Sequence, residues 1–172
     1  MNNSRLYDYS ETQSRVERAH RRATGEALGA VGINLLIKHC AWLISDVMND
    51  ALKPFGLCYK NYVIMVLIYS NSDNTANPSD LCLGMGETRS NMTRLCDELV
   101  ERGWAQRVTN PEDRRRVDLS LTQEGIALLE KVLPMLRTRN KAVYSVFNEQ
   151  QTQEIEDRLI HLMQSLEAHR DA

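Results

Sequence analysis

The chain has 172 residues, enough for one compact domain with an appended oligomerisation region, and 42% apolar against 26% charged residues excludes wholesale disorder. A net charge of −2 excludes a uniformly basic nucleic-acid binder, so any such surface must be local, as in RVERAHRR at 15–22 or RRR at 114–116. No run approaches the roughly 18 uncharged apolar residues of a membrane span, the N-terminus lacks the apolar core of a secretion signal, and Cys40, Cys58, Cys82 and Cys96 form no CxxC pair, so a cytoplasmic chain without disulfides, zinc or any other metal is expected.

Residues 1–32 form a polar, arginine-rich N-terminal extension, punctuated by Gly25, Gly29 and Gly32 and partly helical. Residues 33–57 read as a dimerisation helix. Leu36, Ile37, Cys40, Leu43, Ile44, Val47 and Met48 recur there at helical spacing, over an arc wide enough to be buried between partners. Pro54-Phe55-Gly56 ends it. A DNA-binding unit is expected over 58–122. It opens with a core helix from Tyr59 to Ser70, apolar almost all round, followed by the polar loop SNSDNTANP. Asn77-Pro78-Ser79-Asp80 is a helix start, with a capping side chain, a proline in the first turn and an acid near the positive end. A short helix through Met85, a glycine-containing turn and a second helix from about Thr88 to Arg102 make a helix-turn-helix.

In that second helix Met92, Leu95, Cys96, Leu99 and Val100 form one buried stripe. Ser90, Arg94 and Asp97 lie opposite, flanked by Asn91, Thr93 and Glu98. Hydroxyl, amide and guanidinium groups thus crowd the N-terminal half, where they suit base edges and phosphates, while the acids lie towards the C-terminal half. Trp104 to Val108 reads as a strand. Val117, Leu119 and Leu121 alternate with Arg116, Asp118 and Ser120 in another, which sets the first three inward and the second three outward. The turn 110–115 between them is tipped with charge, so the hairpin is a wing. Residues 123–172 read as C-terminal dimerisation helices: Thr122 caps the first, Leu128, Leu129, Val132, Leu133 and Leu136 stripe it, and Pro134 should kink it. The last, from about Glu149, carries Ile155, Leu159, Leu162, Met163 and Leu166. The fold class is therefore mainly α with a small β-hairpin, a winged helix-turn-helix between N- and C-terminal helical dimerisation regions.

The stretch TRSNMTRLCDELVERGWAQRVTNPEDRRRVDLSLTQEG at 88–125 resembles the signature of the MarR family of bacterial regulators, and with the Leu133-Pro134 pair and the long N-terminal extension it resembles the EmrR/MprA-type branch. The resemblance spans about 33–168. It implies a homodimer of intertwined terminal helices that binds double-stranded, pseudo-palindromic operator DNA as a regulator, by expectation a repressor. It implies, too, that the helix start from Thr88 and Arg89 through Ser90, Asn91, Thr93 and Arg94 faces the major groove. Asp113 would orient the wing, and one of Arg114, Arg115 and Arg116 would enter the minor groove, where narrow A·T tracts concentrate negative potential.

The resemblance also implies release by a small aromatic, phenolic or carboxylate effector, with no cofactor; His39, Trp42, Tyr59 and Tyr62 are the candidate ligand residues, set against the plainer reading that they are core. Two other readings share the fold: a cysteine redox switch at Cys40 or Cys58, and a winged helix used only for protein contacts. An enzyme is disfavoured, because GxSxG, P-loop, GxGxxG and HExxH motifs are all missing and no catalytic residue stands out.

Overall fold

The computed structural model of the protein describes residues 9–110, 113 and 115–170. Its elements run α1 (Tyr9–Thr24), α2 (Val31–Leu52), a single 3-10 turn (Lys53–Phe55), α3 (Tyr59–Tyr69), β1 (Thr75–Ala76), α4 (Pro78–Met85), α5 (Arg89–Glu101), β2 (Ala105–Thr109), β3 (Val117–Leu121), α6 (Gln123–Tyr144) and α7 (Glu149–Arg170). The predominance of helix, the helix-turn-helix and the hairpin agree with the sequence.

Local chemistry starts the helices where expected. Asn77, Thr88 and Thr122 each hold an extended backbone while the side-chain oxygen accepts from a helix N–H, of Ser79, Asn91 and Gly125 respectively. Gly86 ends α4 in the left-handed conformation at φ 62°, which lets the chain turn sharply into α5. One core holds the unit together: Met48 and Leu52 of α2, Ile64, Met65 and Ile68 of α3, Leu81 of α4, Met92, Leu95 and Leu99 of α5, Leu119 of β3, and Leu129, Val132 and Leu136 of α6.

Two features depart from the sequence reading. The hairpin is a three-stranded sheet of order β1-β3-β2, because Thr75 and Ala76, within the expected polar loop, pair with Ser120 and Leu119. The facing of β3 is reversed at its start: Val117 is exposed whereas Asp118 is only 5% exposed. Amide donors on both sides satisfy that carboxylate, whereas Val117 lies out on the wing beyond the reach of the core. The helix α6 contains Pro134 within its length, as the sequence predicts.

The outer helices are largely uncovered. On α2, Val31, Ile33, Leu36, Ile37, Trp42 and Leu43 are exposed, and α7 buries no residue although Ile155, Leu159, Met163 and Leu166 stand along it. Length and composition alone would let 31–55 cross a bilayer, a property that counting uncharged runs passes over because Lys38, Asp46 and Asp50 interrupt it. The N-terminal extension contains the helix α1, whose partly covered positions Tyr9, Thr12, Gln13, Val16, Glu17 and His20 share one face.

Candidate nucleic-acid interface

The helix α5 begins at the turn after α4, so its first residues stand clear of the core. Thr88, Arg89, Ser90, Thr93 and Arg94 are exposed. Asn91 is half-buried and committed: its amide donates to Glu87 (2.6 Å) and its carbonyl accepts from the Arg94 guanidinium (3.1 and 3.3 Å). Glu87 in turn pairs with Lys60 of α3 at 2.5 Å. The Lys60 ammonium and then the Asn91 amide hold the Glu87 carboxyl below the usual carboxylate value of 4.5. Asn91 is thus an anchor that aims Arg94 as much as it is a face residue. Sequence spacing gave no sign of Glu87, one turn before Asn91 and outside the helix proper.

The acids of the C-terminal half neutralise neighbouring arginines. Asp97 binds Arg107 of β2 at 2.5 Å and Glu98 lies between Arg94 (3.5 Å) and Arg102 (3.7 Å). Among the described residues, Arg89, Arg115 and Arg116 enter no ion pair, so positive charge is left at the start of α5 and on the wing. A start rich in donors and a screened far half suit a helix inserted N-terminus first into a polyanion.

The wing is built by side-chain caps. Asn110 Oδ1 accepts from the Asp113 N–H and Asp113 Oδ1 accepts from the Arg115 N–H, both at 3.0 Å, while the Arg116 N–H donates to the Asp113 carbonyl. Asp113 therefore holds the backbone that carries Arg115 and Arg116, both exposed. Arg114 lies outside the described residues.

The four candidate ligand residues fall in two places. His39 and Trp42 line a hollow of about 200 Å³ between α1 and α2, with Thr12, Leu35 and Lys38; His39 is buried and its ring meets Tyr9 edge-on at 5.0 Å. Tyr59 and Tyr62 stack on each other at 6.1 Å, and Tyr62 lines a second hollow with Arg137, Lys141 and Tyr144. Burial, and then the neighbouring Tyr144, pushes the Tyr59 phenol up; burial and then Tyr59 do the same for Tyr62. Both are neutral hydrogen-bond donors at physiological pH. Of the thiols, Cys40 is exposed, Cys58 and Cys82 are half-buried, and Cys96 is buried with its thiol pushed up by that burial.

A helix-turn-helix braced by a three-stranded sheet, with an arginine-bearing wing beside the second helix, defines a winged helix-turn-helix protein. Residues 60–116 match the MarR family. The chain is 34% identical over 103 residues to the transcriptional repressor MprA of Escherichia coli K12, a match that spans 58% of each chain. The fold is shared with a cysteine-to-serine variant of MarR from E. coli complexed with operator DNA (TM-score 0.70, 21% identity, 83% of this chain and 96% of that one). It is shared too with CouR from Rhodococcus jostii RHA1 bound to p-coumaroyl-CoA (TM-score 0.67, 26% identity, 74% and 88%). The curated relatives it matches, MprA among them, are named as transcription regulators.

Proposed function

We propose that this protein is a homodimeric transcription regulator, a repressor by its likeness to MprA, that binds a pseudo-palindromic operator and leaves it when a small aromatic acid binds. The observation that carries the reading is that two exposed cationic elements, whose Arg89, Arg115 and Arg116 enter no ion pair among the described residues, stand on one helix start and one wing. These are the exposed Arg89-Ser90 start of α5, with Thr93 and Arg94, and the capped wing with Arg115 and Arg116. A helix for the major groove and an arginine for the neighbouring minor groove is a division of labour that duplex DNA rewards. Acting on an operator, the protein would work in the cytoplasm.

Support for the dimer comes from the bare apolar faces of α2 and α7. Left in water, each would hold a row of large apolar side chains open to solvent. A second copy covers both by two-fold symmetry, and the same symmetry sets half-sites about one helical turn apart. For the effector, the α1–α2 hollow offers the Trp42 ring, the His39 imidazole and the Lys38 ammonium together, a set that fits an aromatic carboxylate. CouR's complex with an aromatic acyl thioester is a precedent for the ligand class, on that protein.

Selection of bound sequences from random duplexes, repeated with a panel of aromatic acids, tests the proposal. A recovered palindrome lost on adding one acid supports the dimeric, operator-binding and effector-released parts of it. No enrichment at low salt removes DNA as the partner and promotes the protein-contact reading. Enrichment indifferent to every acid removes the effector.

A further inference from the structure

The buried carboxylate of Asp118 is the centre of a hydrogen-bonded chain that ends at the wing arginine. Extending the β1–β3 register past Ala76↔Leu119 sets Asn77 opposite Asp118, and the Asn77 amide donates to Asp118 Oδ1 at 2.7 Å. Across the other edge, Val108 is opposite Asp118, so Asn110 is its diagonal neighbour on the same face. The Asn110 amide donates to Asp118 Oδ2 at 2.5 Å. The other ends of both asparagines hold backbone: Asn77 Oδ1 caps α4 through the Ser79 N–H (2.9 Å), and Asn110 Oδ1 takes the Asp113 N–H. Asp113 then takes the Arg115 N–H.

The sequence Asn77–Asp118–Asn110–Asp113–Arg115 therefore ties the first helix of the helix-turn-helix to the wing through side-chain acceptors and donors, three of which hold backbone N–H groups. An exposed two-stranded ribbon is otherwise free to twist about its base. A carboxylate with one amide on each oxygen removes that freedom, and it does so from a site with no access to DNA, at 5% exposure. A carboxylate offers one oxygen to each amide, which an apolar side chain in the same buried place could not do.

We infer that Asp118 is a positioning residue for DNA recognition: it fixes the angle at which the wing presents Arg115 relative to α4 and α5. The inference rests on the operator-binding reading above. Two variants test it. Asp118→Leu replaces the buried acid by an apolar side chain, a change that cores tolerate when polar partners can turn to water, and Asn110→Ala cuts the chain outside the core should the first fail to fold. Operators are taken from the selection with the wild-type protein.

For a variant that melts cooperatively near the wild-type temperature, affinity should fall at least tenfold. The slope of log affinity against log salt should fall by about one for each wing displaced. Hydroxyl-radical protection of the minor groove beside each half-site should disappear, while methylation protection in the major groove persists. Loss of both protections together, or of neither, overturns the inference and leaves Asp118 a structural residue. If the wild-type protein selects no sequence, the operator reading itself falls and takes this inference with it, an outcome visible before any variant is compared.

Discussion

Gly125 and Trp104 meet backbone to backbone: a Cβ built on Gly125 would overlap the Trp104 carbonyl oxygen and lie 2.9 Å from its carbonyl carbon. The same carbonyl accepts from the Thr122 N–H at 3.1 Å, and the Thr122 hydroxyl donates to the Gly103 carbonyl at 2.6 Å. The RGW at the start of the wing and the LTxxG at its end are thus one joint, in which α6 is pinned to the strand that leaves α5.

Because the obstacle is backbone, it cannot swing aside. Gly125→Ala should lower stability by about 1–3 kcal/mol or more, as overpacking does. Gly84→Ala, in the open on α4, should be neutral or stabilising by under about 1 kcal/mol, since alanine favours helix. Thermal unfolding of the two variants checks both signs, and equal melting temperatures would deny the joint.

Asn61 is fully buried on α3, and neither its Nδ2 nor its Oδ1 has a hydrogen-bond partner among the described residues. Leucine branches at the same atom and has no polar group to desolvate. Asn61→Leu should therefore raise stability, by about 1 kcal/mol after some loss to tighter packing. Denaturant unfolding measures it; a lower midpoint would show that the amide has a function that the fold protects.

Arg115→Ala and Arg94→Ala should separate the two grooves. Loss of Arg115 should weaken operator binding by about 1–3 kcal/mol and flatten the salt dependence. Loss of Arg94, aimed by Asn91 from the middle of α5, should relax sequence preference at particular positions. Arg102, stacked on Trp104 at 5.2 Å past the end of α5, is the control and should change neither.

Glu87 gives the interface a pH dependence with a defined sign. Its folded carboxyl titrates lower than in the unfolded chain, because Lys60 and Asn91 hold the charged form. The stability it contributes is complete above 4.5, its unperturbed value, and disappears as pH falls through the lower folded value. Glu87→Gln should remove that part of the acid limb, on the order of 1 kcal/mol because Lys60 is half in solvent. Stability curves for both proteins from pH 7 downwards would show it, and parallel curves would mean that the pair is idle.

The two candidate effector hollows are separable by mutation. Lys38→Ala or His39→Ala should blunt release by an aromatic acid, while Tyr62→Phe leaves it intact. The reverse pattern, read in a DNA-release titration, would move the effector to the hollow beside Tyr144.

The parts of this fold that show in sequence are those with a period or a cap. The stripe Met92-Leu95-Cys96-Leu99 and the capping residues Asn77, Thr88 and Thr122 carry their own local signals, so α4, α5 and the start of α6 are legible. Two-residue β1 has no period to detect, and it is a strand only because β3 lies beside it. Asp118 defeats alternation for the same reason: its partners, Asn77 and Asn110, stand 41 and eight residues away. Asn91 was visible as a polar face residue, but its bond to Glu87 was not, since it joins a helix to the turn before it. The four aromatic and histidine candidates are neighbours in sequence order but fall in two places, His39 and Trp42 in the hollow beside α1 and Tyr62 in the hollow beside Tyr144, which a list of helices does not show.

The bare faces of α2 and α7 have a consequence for abundance. If pairing completes the hydrophobic surface, each chain's folding free energy includes a concentration term, and the unfolding midpoint must climb as protein is added. Operator occupancy would then vary with the square of chain concentration at low copy number. Scarce chains, with two apolar helices open to proteases and chaperones, would be cleared faster than abundant ones, which sharpens the threshold at which the regulated gene changes state.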